Sequence, residues 1–129
     1  MIRARIALNQ RDPGTAIDTL QVAVPYELGA SHELLGALYP VFVRGEALLD
    51  ARQGVQAAVE FQKILDHRGI VVSDPIGALA HLQLARALAL SGDKIKSKAA
   101  YQDFFTLWKD ADRDIPLLVR ANSEYARLN

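Results

Sequence analysis

The side chains with the most chemical reach in this sequence are three histidines, His32, His67 and His81, with serines and carboxylates scattered around them. A histidine-based metal site needs a second ligand at helical spacing, as in His-Glu-x-x-His, and none of the three has one. They also fall on different predicted elements. His81 should face the interior of a helical hairpin. A packed core histidine is the expectation there, since a metal ligand would need partner ligands and outer hydrogen bonds of its own. Asp66-His67 reads as helix-end chemistry, a basic ring where the dipole favours positive charge. Ser73 and Ser91 read as a cap and a turn, for neither has a base or an oxyanion-stabilising motif around it. Gly36 and Gly45 are isolated, and neither G-x-x-x-x-G-K-[ST] nor G-x-G-x-x-G occurs to cradle a phosphate. No catalytic, cofactor-binding or metal-ligating residue is predicted, and the expectation is a chain that is not an enzyme.

Fifteen basic and fifteen acidic side chains cancel among 129 residues, which leaves no electrostatic footprint for nucleic acid or an anionic membrane. No run approaches the roughly 18 apolar residues of a membrane span. Met1-Ile2-Arg3-Ala4-Arg5 opens directly into helical pattern rather than into a secretory signal. The absence of cysteine leaves the redox compartment open. A soluble, cytoplasmic domain is expected, with an extracytoplasmic tail of a membrane-anchored parent as the alternative.

The surfaces must therefore carry function, and helices must position them. From Ala78 to Trp108 two apolar-periodic runs flank Ser91-Gly92-Asp93: Leu84, Ala85 and Leu88 share a face of the first, and Ala100, Tyr101, Phe104, Phe105 and Trp108 recur at helical spacing in the second. A short glycine-containing hinge folds such a pair antiparallel. Ala85 and Ser97, twelve apart, remove bulk where the helices cross, and Tyr101, four past Ser97, fills the space beside them. The same ruler fits again at Gly45, Ala57 and Phe61, with Arg52-Gln53-Gly54 as the turn, and at Ala4 and Ala16. The small landmarks Ala4, Gly45 and Ala85 lie 41 and 40 residues apart.

Asp12-Pro13-Gly14 marks a helix start, with Asp12 capping and Pro13 in the first turn; that helix should stop at Val24, before Pro25. Pro40 belongs in the first turn of a helix beginning near Leu38, with a separate helical turn around Glu33. Gly69 is placed to close the second hairpin in a left-handed cap, and Ile70-Val71-Val72 to tuck under the repeat interface. Ser73-Asp74-Pro75 starts the third hairpin. Asp114 and Pro116 start a last helix whose stripe of Leu118, Ala121, Tyr125 and Leu128 opposes Arg120, Glu124 and Arg127, as a capping helix requires.

The spacing resembles a tetratricopeptide repeat, a unit of about 34 residues with small residues at two fixed positions and an aromatic beyond the second. Counted from Ala78, Ala85, Leu88, Gly92, Ser97 and Tyr101 meet the pattern. His81 stands where Trp is usual and Phe104 where Ala is usual, and no proline closes the unit. The resemblance implies an all-α, right-handed superhelix of antiparallel hairpins with about seven helices. Its parts are a truncated first repeat (1–24), a connector (25–37), a second repeat (38–69), a connector (70–77), a third repeat (78–108) and a capping helix (115–128). The opening helix lacks its first turn in this register, so the chain is expected to be a fragment of a longer protein with an uncovered N-terminal edge.

By the same resemblance, the first helices line a concave groove for a protein or peptide partner. The residues placed there are Arg5, Asn9, Tyr39, Phe42, Val43, Glu46, Asp50, Gln83 and Arg86, with Ile2 at the same register; Leu79 and Leu82 share it and are expected to be covered by the connectors. Taken singly, Phe42 and Val43 are expected to be plain packing between repeats. The family's carboxylate clamp of Lys and Asn does not carry over, since Phe42, Val43 and Glu46 stand in its place and an acid repels a carboxylate. Pro25-Tyr26-Glu27-Leu28-Gly29, the run 60–69 and the run 101–112 are also similar to the C-terminal repeat tails of bacterial eukaryotic-like serine/threonine kinases and some winged-helix regulators. That likeness implies a scaffolding tail whose kinase machinery lies elsewhere. The alternatives are a homo-oligomerisation module, in which the N-terminal edge pairs two copies, and a small-ligand or catalytic domain built in the groove.

Overall fold

The computed structural model describes residues 1–28, 38–71 and 75–129. Among the described residues every element is a helix: α1 (Ile2–Asn9), α2 (Pro13–Gln21), α3 (Tyr39–Asp50), α4 (Gly54–Asp66), the single turn α5 (Arg68–Val71), α6 (Pro75–Ser91), α7 (Lys94–Leu107) and α8 (Pro116–Ala126), with a 3₁₀ turn at Val24–Tyr26. The hairpins α1–α2, α3–α4 and α6–α7 follow the expected register. Asp12 accepts the Thr15 N–H at 3.1 Å and Asp93 that of Lys96 at 3.1 Å, so each occupies the N-cap of the second helix of its hairpin.

The three turns are built alike. Arg11 (φ 59°), Arg52 (φ 62°) and Gly92 (φ 91°) adopt the left-handed conformation, and each is followed by a residue whose N–H reaches five residues back. These bonds run from Asp12 to Ala7 (2.9 Å), Gln53 to Leu48 (2.8 Å) and Asp93 to Leu88 (3.0 Å). Such bonds satisfy carbonyls that a helix end would leave orphaned.

Small residues fix how closely the helices approach. Ala4, Ala16, Ala57, Ala85 and Ser97 are fully buried, and the Ser97 hydroxyl donates to the Ala85 carbonyl at 2.8 Å, tying α7 to α6. At Gly45 a Cβ would stand 2.6 Å from Cζ of Phe61, so the ring occupies the space a side chain would need. Phe61 in turn meets Phe42 edge to face, with ring centroids 5.6 Å apart. Most buried side chains of α3, α4, α6, α7 and α8 form one core, while Ala4, Ala7, Ala16 and Leu20 make a smaller one with Val43 and Ala47 of α3.

Several boundaries differ from expectation. Helix α2 ends at Gln21 rather than Val24, and Pro25 sits in the 3₁₀ turn, whose tighter bonds from Ala23 to Leu20 and from Tyr26 to Ala23 need no N–H from the proline. Gly54 is the first residue of α4 and not part of the turn: a Cβ there would lie 2.8 Å from the Ala87 carbonyl oxygen, so glycine lets α4 start against the backbone of α6. Gly69 does not form a left-handed cap, because the chain continues into α5 and His67 holds the C-cap position of α4. Asp114 does not cap α8, whose N-cap residue is Ile115 without a side-chain bond. The expected turn around Glu33, most of the 25–37 connector, Val72 and the Ser73-Asp74 cap lie outside the described residues. Among the described residues, no helix is long and apolar enough to cross a membrane.

Candidate functional site

The first helices and α8 together border a polar groove of about 540 Å³. Six of the nine predicted residues line it: Arg5 and Asn9 on α1, Glu46 and Asp50 on α3, Gln83 and Arg86 on α6. The other three do not. Phe42 and Val43 are 4% and 0% exposed, because α3 is covered on both flanks and those positions pack into the two cores. Tyr39, at the start of α3, is partly buried against the main core. Leu82 is buried as well, and Leu79 packs on that core.

Hydrogen bonds join the groove residues into one ribbon across the hairpins. Arg5 Nη1 donates to Glu46 Oε2 at 2.6 Å, and Gln83 Nε2 donates to Glu46 Oε1 at 3.4 Å. Arg86 Nη1 donates to Gln83 Oε1 at 3.3 Å. Its Nε and Nη2 grip Glu124 of α8 in a two-pronged pair at 2.8 and 3.0 Å. The Tyr101 hydroxyl of α7 donates to the same carboxylate at 2.8 Å. Burial pushes the Glu46 carboxyl above its ordinary value, with Asp50 adding to the effect and Arg5 opposing it. Burial and the bond to Glu124 likewise push the Tyr101 phenol far above its ordinary value.

Glu124 was expected on the solvent face of the capping helix, opposite the apolar stripe. It lies instead at the edge of that stripe and closes the groove. No local pattern in α8 announces this, since the partner Arg86 is 38 residues earlier. Asn9, Asp50, Arg52 and Arg120 complete the polar lining. The groove thus presents amides and charges of both signs, with Arg5 and Arg86 already neutralised by carboxylates.

A second cluster is buried. Arg44, with a side chain 3% exposed, donates to Glu27 at 2.6 and 3.0 Å, to Glu60 at 2.6 Å and to the Leu20 carbonyl at 3.4 Å. Lys63 reaches Glu27 at 3.3 Å and Glu60 at 3.6 Å. Burial alone would raise the Glu27 carboxyl, but the bonds and charges of Arg44 and Lys63 outweigh it and hold the group below its ordinary value. The cluster ties the end of α2 and the following segment to α3 and α4. Sequence reasoning passed over it, although an arginine between Val43 and Gly45 on an otherwise apolar face is a visible signal.

His81 is buried on α6, 7% exposed, and burial pulls its imidazole below the ordinary value against the pull of Asp103. His67 Nδ1 donates to the Lys63 carbonyl at 2.7 Å, closing the last turn of α4. Among the described residues no group of three or more His, Cys, Asp or Glu side chains converges as a metal site would. The described residues form an all-α domain of stacked helical hairpins. Comparison with models of protein families, with curated proteins and with solved structures finds no match.

Proposed function

We propose that this chain is a non-catalytic protein-interaction module of tetratricopeptide type, a scaffold whose concave groove holds a polar segment of a partner protein. The observation that carries this reading is the ribbon from Arg5 through Glu46, Gln83 and Arg86 to Glu124, which lines one continuous surface with side chains from four elements. Three carboxylates, Glu46, Asp50 and Glu124, face the same space as Arg52 and Arg120. A partner of mixed charge fits such a lining. The likeness to repeat tails of bacterial signalling kinases favours a module working beside a catalytic domain on the same protein, in the cytoplasm.

Selection from a random peptide display library tests the reading. Selected peptides should lose at least tenfold in affinity against Gln83→Ala and Asp50→Arg, which alter the groove without touching a core residue. Peptides that bind both variants as well as the parent chain would place the interaction elsewhere and sink the proposal.

A further inference from the structure

The α4 and α7 helices both pack on α6 but leave an apolar cleft of about 680 Å³ between them. Its walls are exposed or half-exposed small side chains, chiefly Val55 and Val59 of α4, 65% and 60% exposed, and Ala99 of α7. Along α4 the cleft runs from Val55 to Asp66, roughly 16 Å at 1.5 Å per residue. Asp66 and Asp103 border it without an ion pair among the described residues, while Asp93 is paired with Lys96 and Lys63 is drawn toward Glu27 and Glu60. The cleft is therefore an apolar slot whose border, shared with Lys63, Lys96 and His67, carries two carboxylates without an ion pair among the described residues, Asp66 and Asp103.

The complementary surface stands on the same chain. Helix α1 turns Ala4 and Ala7 inward and presents Ile2 (77% exposed) and Ile6 (48%) outward one helical turn apart, with the exposed Arg3 beside them, while Arg5 is turned to Glu46 in the groove. The run 1–11 contains three arginines and no acidic residue. Two α1 helices docked on one another would bring their Arg3 side chains together, whereas α1 against the cleft pairs apolar ridge with apolar slot and Arg3 with the carboxylates of Asp66 and Asp103.

We propose that the α1 ridge of one copy seats in the α4–α7 cleft of the next, so that copies of this chain join head to tail. Such a contact uses different patches on each partner and leaves one of each open, so it propagates into a chain or closes into a ring. The cleft is walled by second helices of the hairpins, and the centre of the groove, at Glu46, Gln83 and Arg86, belongs to first helices. Each added copy brings another groove.

Sedimentation equilibrium on three forms of the chain tests this. The parent chain should rise in mass with concentration, and less so in high salt. An edge variant, Ile2→Gln with Ile6→Gln, and a cleft variant, Val59→Arg, should each associate at least tenfold more weakly. Mixed in equal amounts they should form a heterodimer and stop there, since the mixture holds one intact ridge and one intact cleft. All these positions are exposed, and circular dichroism with thermal unfolding verifies that each variant folds; Ala99→Arg serves as a second cleft variant. A parent chain that stays monomeric at about 1 mM, a Val59→Arg protein that still self-associates, or a mixture that stays monomeric would each overturn the proposal.

Discussion

Replacing Arg44 by methionine removes the centre of the buried ion cluster while keeping much of its volume. Four hydrogen bonds are lost, and among the described residues the Glu27 side chain, 2% exposed, keeps Lys63 at 3.3 Å as its ion-pair partner. Breaking a buried pair from one side costs about 3–5 kcal/mol, because a charge stays desolvated without its partner. The remaining Lys63 places the expected loss at the lower end, about 3 kcal/mol, a large share of the 5–15 kcal/mol of a typical domain. Urea unfolding followed by circular dichroism measures it. The pH dependence supplies a sharper signature. In the parent chain Glu27 titrates below its ordinary 4.5, so its contribution is present above that value and is lost as pH falls through the lower folded-state value. Without Arg44 the desolvated carboxyl titrates above 4.5, so the variant should gain stability on the parent chain as pH falls from 7 toward 5. A loss under about 1 kcal/mol, or parallel pH profiles for the two proteins, would refute this account of the cluster.

Gly45→Ala should destabilise by about 1–2 kcal/mol despite the better helix propensity of alanine, because its Cβ would overlap the buried Phe61 ring. Gly14→Ala, where the nearest atom is 3.7 Å away, should be neutral or stabilising in the same urea assay. Arg52→Gly should stabilise by about 0.5–1 kcal/mol, since Arg52 holds φ at 62° and glycine adopts that conformation without steric cost; thermal unfolding checks it.

The features legible in the sequence are those governed by spacing. Ala4, Gly45 and Ala85 announced three hairpins, and the left-handed residues Arg11, Arg52 and Gly92 repeat at the same intervals of 41 and 40. Only the third of these is glycine, so the turn conformation is set by the helices on either side as much as by the residue in it. Register also placed six of the nine groove residues. Register alone also points Phe42 and Val43 into the groove, because a position along one helix does not say how far the neighbouring hairpins cover it; both pack in the cores, as their apolar character favours. Glu124 and the Arg44 cluster were missed for a different reason. Both are long-range ion pairs, and no periodicity within a helix encodes which distant partner a charge will meet. Gly54 looks like a turn glycine in the sequence because its requirement comes from α6, a helix further along the chain.

The two cores are unequal, and the inequality gives the molecule a direction. Four of the six buried residues that hold the first hairpin are alanines, each contributing about 0.8 kcal/mol per buried methyl-sized group, while the main core carries Phe42, Phe61, Tyr101 and Phe104. Ile17 touches both cores, and Arg44 fastens the junction between them. In a stack where each hairpin leans only on its neighbours, the thinner end opens first. Backbone amides of α1 and α2 should therefore exchange with solvent at a free energy well below that of α6 and α7. The first hairpin should open before the rest, and whatever engages α1 should hold it closed.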